Sequence, residues 1–351
     1  MSKFKKIRAS LLKSKLISSL SSLKLAVSCF FLLSVLIVAG TIYQTEHGLY
    51  LAQDKFFNSW FIGPFPSARI VMWVLFINLS CALAFRFDHS WKKIGLLLNH
   101  YGLIALLISG FLTLNFSKEA FVKLYEGESS NIAEDYYKWE LVLKDKTTNE
   151  TKNIPLDDLK DGSKLNKEIV LEKVYKNAQL FETPFAGTIL KEMELDSNYE
   201  SNTPGLLIKG IKAKYLEGET QPFISNEKYS LFLRREASKL PFTLKLQDVK
   251  RELHQGTELA KSYSSKILVT EGTLKRELTV SMNKPYRNGL YTAFQASYGQ
   301  DQDGNEFTIL AVVRNLNHSL PYWATIIASL GLFINFFQYL IMNMKKRGAD
   351  A

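Results

Sequence analysis

The chain has 351 residues, is 46% hydrophobic and 13% aromatic, and carries a net charge of +10, a length that allows about two domains. Residues 118–314 hold 29 Lys and Arg against 30 Asp and Glu, and the rest of the chain holds 15 against 4. A positive excess confined to segments that flank apolar runs belongs to membrane topology, which excludes a basic nucleic-acid surface as its explanation.

In chain order, a basic leader, residues 1–24, comes first and holds seven Lys and Arg. Uncharged runs follow at Leu25 to Thr45, Ile70 to Phe85, Ile94 to Ser117 and Asn315 to Met344. Each is near the ~20 residues that carry a helix across about 30 Å of hydrocarbon, the second with help from Ser67, Ala68 and a snorkelling Arg69. The predicted architecture is a membrane protein with three transmembrane helices in residues 25–117 and a fourth in 315–344. A large extracytoplasmic β-rich domain, 118–314, lies between helices three and four, and 345–351 form a tail. The first run is longer than a signal-peptide core and predicts an uncleaved anchor.

The loop RFDHSWKK and the tail KKRGADA each add three basic residues, whereas the loop after the first helix has only Lys55 and Arg69. That bias places both termini in the cytoplasm and the middle segment outside. Cys29 and Cys81 lie inside predicted helices without a CxxC partner and read as small buried thiols.

The middle segment reads as strands. LFLRR, FTLKLQDVK, SSKILVTEG and EFTILAVVRNL mix β-branched, aromatic and alternating polar residues between turn-forming stretches. VTEGTLKRELTV predicts a hairpin turning at Glu271 and Gly272. An antiparallel sandwich or barrel is the expected form. His254 has no nucleophile or metal partner in sequence, and DQDGNE lacks the closing glutamate of a calcium loop, so this domain reads as binding or positioning and not as catalytic.

Among His47, His89, His100, His254 and His318, only His100 falls well inside an apolar run. At about 100° per residue, Gly95, Asn99, Gly102 and Ser109 share a face within about 80°, and His100 lies about 140° from Gly95, beside Leu96, Ile104, Leu107 and Phe111. Small residues at that spacing let helices approach closely, so their face predicts packing within the bundle and His100 points elsewhere. A neutral imidazole facing lipid leaves a donor and an acceptor unmet at a cost of about 2 kcal/mol or more. The residues alone allow a ring bonded to a neighbouring helix, a ring reaching headgroup water, or an axial ligand of haem iron. A low-spin haem takes two axial ligands, and no second histidine lies well inside a predicted span, His318 falling at the outer end of the fourth, so the other would come from another chain.

The segments SLSSLKLAVSCFFLLSVLIVAGTIYQ, AQDKFFNSWF, IGLLLNHYGLIALLISGF, NKPYRNGLYTAFQASYGQ and VVRNLNHSLPYWATIIASLGLFINF resemble the ResB family, the CcsB-type component of system II cytochrome c maturation. Phe294 stands where that family more often has tyrosine, and residues 137–263 carry little of the resemblance. The resemblance implies an integral protein of the bacterial inner membrane that works with a CcsA-type multi-helix partner. Together they move haem b outward, with the large domain on the periplasmic side, and attach it to apocytochrome c, a step that needs ferrous iron and free thiols. It maps the family's third-helix ligand onto His100, with Asn99 or Tyr101 as the expected support of the ring and Leu96, Ile104 and Leu107 as cover for the porphyrin. It also implies a subunit of a cytochrome c synthase that does not act alone, since the partner's outer histidines and tryptophan-rich segment have no counterpart here. A membrane-anchored assembly factor, whose outer domain binds apocytochrome or the partner without touching haem, is the alternative. A sensor would need a larger cytoplasmic part, and a secondary carrier would show internal repeats.

Overall fold

The computed structural model describes residues 14–166, 168–183, 187–210, 215–256, 260–301 and 303–349; most of the predicted leader, 1–13, and the last two residues of the tail lie outside them. The chain divides into two compact units, Met1–Ser117 with Asn315–Ala351, and Lys118–Arg314. Four helical spans are long and apolar enough to cross a membrane: Leu23–Asn58, Ala68–Arg86, Trp91–Phe116 and Leu320–Met344.

In the helical unit, α1 (Lys15–Leu20) precedes α2 (Leu23–Gln53), whose first turn is capped by Ser22 Oγ accepting from Leu25 N at 3.2 Å. Gly48 interrupts α2 at φ +79°, a backbone region open to glycine at no steric cost, and a π-helical turn, Asp54–Asn58, ends the span. Helix α3 (Ala68–Cys81) likewise ends in a π-helical turn, Ala82–Arg86. Helices α4 (Ile94–Phe116) and α5 (Leu320–Ala349) complete the unit.

Helices α2 and α3 share a core of Cys29, Leu36, Phe56, Ala68, Val71 and Leu75. Helices α4 and α5 touch backbone to backbone. A Cβ on Gly95 would lie 2.3 Å from Asn335 N, one on Gly102 2.6 Å from Ala328 N, and one on Gly331 2.2 Å from Asn99 N. The small-residue face of α4 therefore packs on α5, as its spacing predicts. Asn317 Nδ2 pins the end of this contact by donating to Ser109 O at 2.8 Å and Ser109 Oγ at 3.0 Å, and Thr113 Oγ1 donates to Asn317 Oδ1 at 3.2 Å. Phe31, Ile42, Phe333 and Phe336 remain more than half exposed. An apolar surface of this kind suits hydrocarbon as solvent.

The second unit is an antiparallel β domain. Its main sheet runs in the order Leu274–Ser281, Ala260–Glu271, Tyr229–Leu253, Ser129–Asp145, Lys118–Tyr125, Glu306–Arg314, Tyr291–Gln300, Tyr286–Asn288. It curls on itself: Tyr263 Oη donates to Ala296 O at 3.0 Å, and Ser265 Oγ to Thr308 Oγ1 at 2.9 Å. Leu124, Leu244, Leu246, Ile267, Val280 and Leu310 fill the interior with no exposed surface. A second core, around Leu171, Leu206, Leu216, Leu231 and Leu233, brings in the smaller sheet of Val170–Tyr175, Gly205–Lys209 and Tyr215–Glu217.

The 25-residue strand Tyr229–Leu253 serves both cores. A register shift between Leu246 and Asp248 resets the alternation so that Val249 again points inward. The hairpin predicted at Glu271 and Gly272 turns one residue later: Glu271 still pairs with Leu274, and Gly272, at φ +57°, forms the turn with Thr273. The correction has a local cause, because a two-residue loop of this kind needs its positive φ at a loop position, which only Gly272 takes cheaply.

Candidate functional site

Helices α2, α3 and α4 surround a cavity of about 850 Å³ lined almost wholly by apolar atoms. From α4 it takes His100, Leu103, Leu107, Gly110 and Leu114, whose three- and four-residue spacing makes one continuous face. Ala26, Phe30 and Leu33 of α2 and Met72, Leu75 and Leu79 of α3 form the facing walls. Gly110 helps to leave the space open: a Cβ there would meet nothing within 4 Å.

His100 is half-buried in this wall, on the side of α4 away from α5. Its Nδ1 lies 2.8 Å from the carbonyl oxygen of Leu96. A carbonyl only accepts, so in the neutral ring the proton sits on Nδ1 and Nε2 keeps its lone pair on the ring edge away from the helix backbone. Nε2 has no hydrogen-bond partner among the described residues. Phe87 packs on the ring at 4.5 Å between centroids.

The support of the ring differs from the expectation. Asn99 lies on the face that meets Gly331, and Tyr101 is exposed, so Leu96 holds the imidazole through its main chain, where Asn99 or Tyr101 was expected to do so by side chain. Of the three residues expected to cover a porphyrin, Leu107 lines the cavity; Leu96 and Ile104 do not, and Leu103, Leu106 and Phe111 do.

The rim is polar and basic. Arg86, on the π-helical turn after α3, donates from Nε to Ser21 Oγ and from Nη2 to Ser18 O, both at 3.0 Å. Asn78 Nδ2 donates to Leu20 O at 2.6 Å and Ser22 O at 3.0 Å, holding the break between α1 and α2 against α3. Arg69 also lines the cavity, donating to Asn58 O at 2.9 Å and Asn115 Oδ1 at 2.8 Å, with its guanidinium 4.7 Å from the Trp60 ring centroid. In the sequence Arg86 counts as a basic loop residue and Arg69 as a snorkelling residue at the edge of the second span, and no apolar period announces that both line one cavity.

The other histidines stand apart from this site. His47 stacks on Tyr43 at 3.9 Å, with Nδ1 3.3 Å from Tyr43 O, and His318 and His254 are exposed. Among the described residues no three His, Cys, Asp or Glu side chains gather to hold a metal ion, and Cys29 and Cys81 are free thiols.

No curated protein matches the chain. The ResB-like family profile matches residues 217–321, from the smaller sheet of the β domain to the first turn of α5, a segment that includes none of the cavity residues. Over that segment the chain is similar to the ResB-like family.

Proposed function

We propose that this chain is a haem-handling subunit of a system II cytochrome c maturation machine. With a CcsA-type multi-helix partner it carries haem b across a bacterial inner membrane and presents it for covalent attachment to apocytochrome c. The ResB-like match over residues 217–321 supports a role in cytochrome c biogenesis, and four spans long and apolar enough to cross a membrane support a membrane protein. The distribution of Lys and Arg supports cytoplasmic termini and an extracytoplasmic β domain.

The observation that carries the reading is His100 in the wall of the cavity with Nδ1 already committed to Leu96. The residues fit the cargo: the volume, about 850 Å³, falls in the ~300–1,000 Å³ range of small-molecule sites, the walls are apolar, and one imidazole nitrogen is free to ligate. His100 would hold haem iron through Nε2, with the remaining ligand supplied by the partner; the Leu96 carbonyl fixes the ring plane, Phe87 packs on the ring, and Leu103 and Leu107 would keep water from the porphyrin.

Co-expression with a CcsA-type partner, purification and an absorption spectrum test this. The parent complex should carry haem with a bis-imidazole spectrum, and His100→Ala should lose most of it. Unchanged haem content and spectrum in the variant would remove His100 as the ligand.

The position of the family match favours a second reading. Residues 217–321 lie in the β domain and at the start of α5. A membrane-anchored assembly factor that binds apocytochrome or the partner through the β domain would have its family signature there. That reading requires a parent complex that purifies without haem.

A further inference from the structure

The cavity has an apolar middle and a guanidinium at either end. The two arginines are not equivalent. Residue Phe87, next to Arg86, packs on the His100 ring at 4.5 Å, so Arg86 and His100 share one end of the cavity, and Arg69 starts α3 at the other. Arg69 spends both Nη groups on Asn58 and Asn115 and stacks on Trp60. Arg86 gives Nε and Nη2 to two neutral acceptors, Ser21 Oγ and Ser18 O, and Nη1 has no partner among the described residues. No carboxylate forms an ion pair with Arg86 among those residues. A guanidinium held by two hydrogen bonds at the rim of an apolar cavity, with its charge unpaired, is arranged for an anionic ligand.

We propose that the cavity binds an amphiphile with an apolar body and carboxylate groups, and that Arg86 pairs with those carboxylates. Resting on the haem reading above, the carboxylates are the two propionates, held at Arg86 while the iron is held at His100. Ser21 and Ser18 keep the guanidinium in place, so the cation waits at the rim before the ligand arrives. Propionate capture and iron ligation then fix the porphyrin at two points, which sets its orientation in the cavity. Arg86 is thus a residue of specificity: it separates a dicarboxylic porphyrin from a neutral one of the same size.

The test is a set of titrations of the purified full chain in detergent, read by Soret absorption for haem and by porphyrin fluorescence for metal-free protoporphyrin IX. The dimethyl esters of both serve as neutral probes. Arg86→Gln should weaken haem and protoporphyrin by about tenfold or more and leave the esters unchanged, and Arg86→Lys should restore most of the loss. Equal loss for acids and esters would mark a structural role for Arg86 and overturn the proposal, as would unchanged affinity for the acids. His100→Ala should weaken haem and spare protoporphyrin. If it spares both while Arg86→Gln discriminates acid from ester, the iron-ligand reading falls and the carboxylate site stands; a parent that binds neither diacid overturns both.

Discussion

His100 Nδ1 sits 2.8 Å from the carbonyl oxygen of Leu96, one helical turn back on α4. The carbonyl of a helical residue normally serves the amide four residues on, so this oxygen carries the side chain of His100 as well as the main-chain bond of the same residue. The bond assigns the tautomer and holds the ring against its own helix, which makes the imidazole rigid without a second polar side chain in the wall. A ligand fixed in this way loses little freedom on binding.

Replacing His100 with glycine should therefore leave a hole of imidazole shape. His100→Gly costs the helix about 1 kcal/mol and abolishes haem ligation, and free imidazole added to the purified protein should restore the haem spectrum. A His100→Gly protein that folds, judged by its circular dichroism, yet takes up no haem at any imidazole concentration would show that the ring does more than ligate.

The four apolar spans were legible because about 20 uncharged residues have one stable solution in hydrocarbon, a helix with its main chain satisfied internally. The packing face of α4 was legible too, since Gly95, Asn99, Gly102 and Ser109 recur at helical spacing and only a close partner explains them. The cavity was legible in one residue and obscure in the rest. A single helical wheel placed His100 away from the packing face, but it could not say where α2 and α3 converge. The cavity face of α4 therefore runs through Leu103, Leu107 and Gly110 and leaves Ile104 out. Arg86 was hidden for a related reason: its partners Ser18 and Ser21 belong to α1 and the break after it, which no apolar period announces.

In the β domain the sequence reads LFLRR and FTLKLQDVK as separate strands, and Pro241 lies between them. The structure joins them, with Pro241 inside a register shift between Lys239 and Leu244 where the ladder does not need its N–H.

The α4–α5 contact yields a stability prediction. A Cβ at position 331 would lie 2.2 Å from Asn99 N and 2.8 Å from Gly95 O, both main-chain atoms that cannot rotate aside. Gly331→Ala should cost about 1–3 kcal/mol in detergent melts, whereas Gly110→Ala, with open space around it, should match the parent or exceed it slightly. Equal melts for Gly331→Ala and parent would mean that the helices separate freely.

Glu140 offers a test in the β domain. Its side chain is 7% exposed, pairs with Arg234 at 2.8 Å, and accepts from Asn153 Nδ2 at 3.1 Å. Arg234→Ala leaves that carboxylate buried with only an amide for company. Since Arg234 is itself about half exposed and water enters when it is removed, the cost should be about 1–3 kcal/mol, less than for a fully buried pair. Adding Glu140→Gln should recover part of it, because the orphaned charge disappears. A double variant less stable than Arg234→Ala alone would show that Glu140 is stabilised by something other than the pair.

The pH dependence of the β domain should carry the mark of Tyr286. Its hydroxyl donates to Glu271 Oε1 and accepts from Asn288 Nδ2 at 3.0 Å, and its ring meets Phe242 edge-on at 5.3 Å in the main core. Burial first, and the bond to the Glu271 carboxylate second, push the phenol up to about 12 from its ordinary 10. The folded protein thus holds this proton more tightly than the unfolded chain. The stability it contributes is complete below pH 10 and is lost as pH rises through 12, an amount of order 2–3 kcal/mol. Tyr286→Phe should destabilise the domain by about 1–3 kcal/mol at neutral pH, through the donor lost to Glu271, and should show a shallower decline than the parent above pH 10. Tyr136, also raised to about 12, is present in both proteins and cancels in the difference. Denaturant unfolding of the full chain from pH 8 to 11.5 measures this directly: curves that fall in parallel across the window would remove Tyr286 as the titrating group.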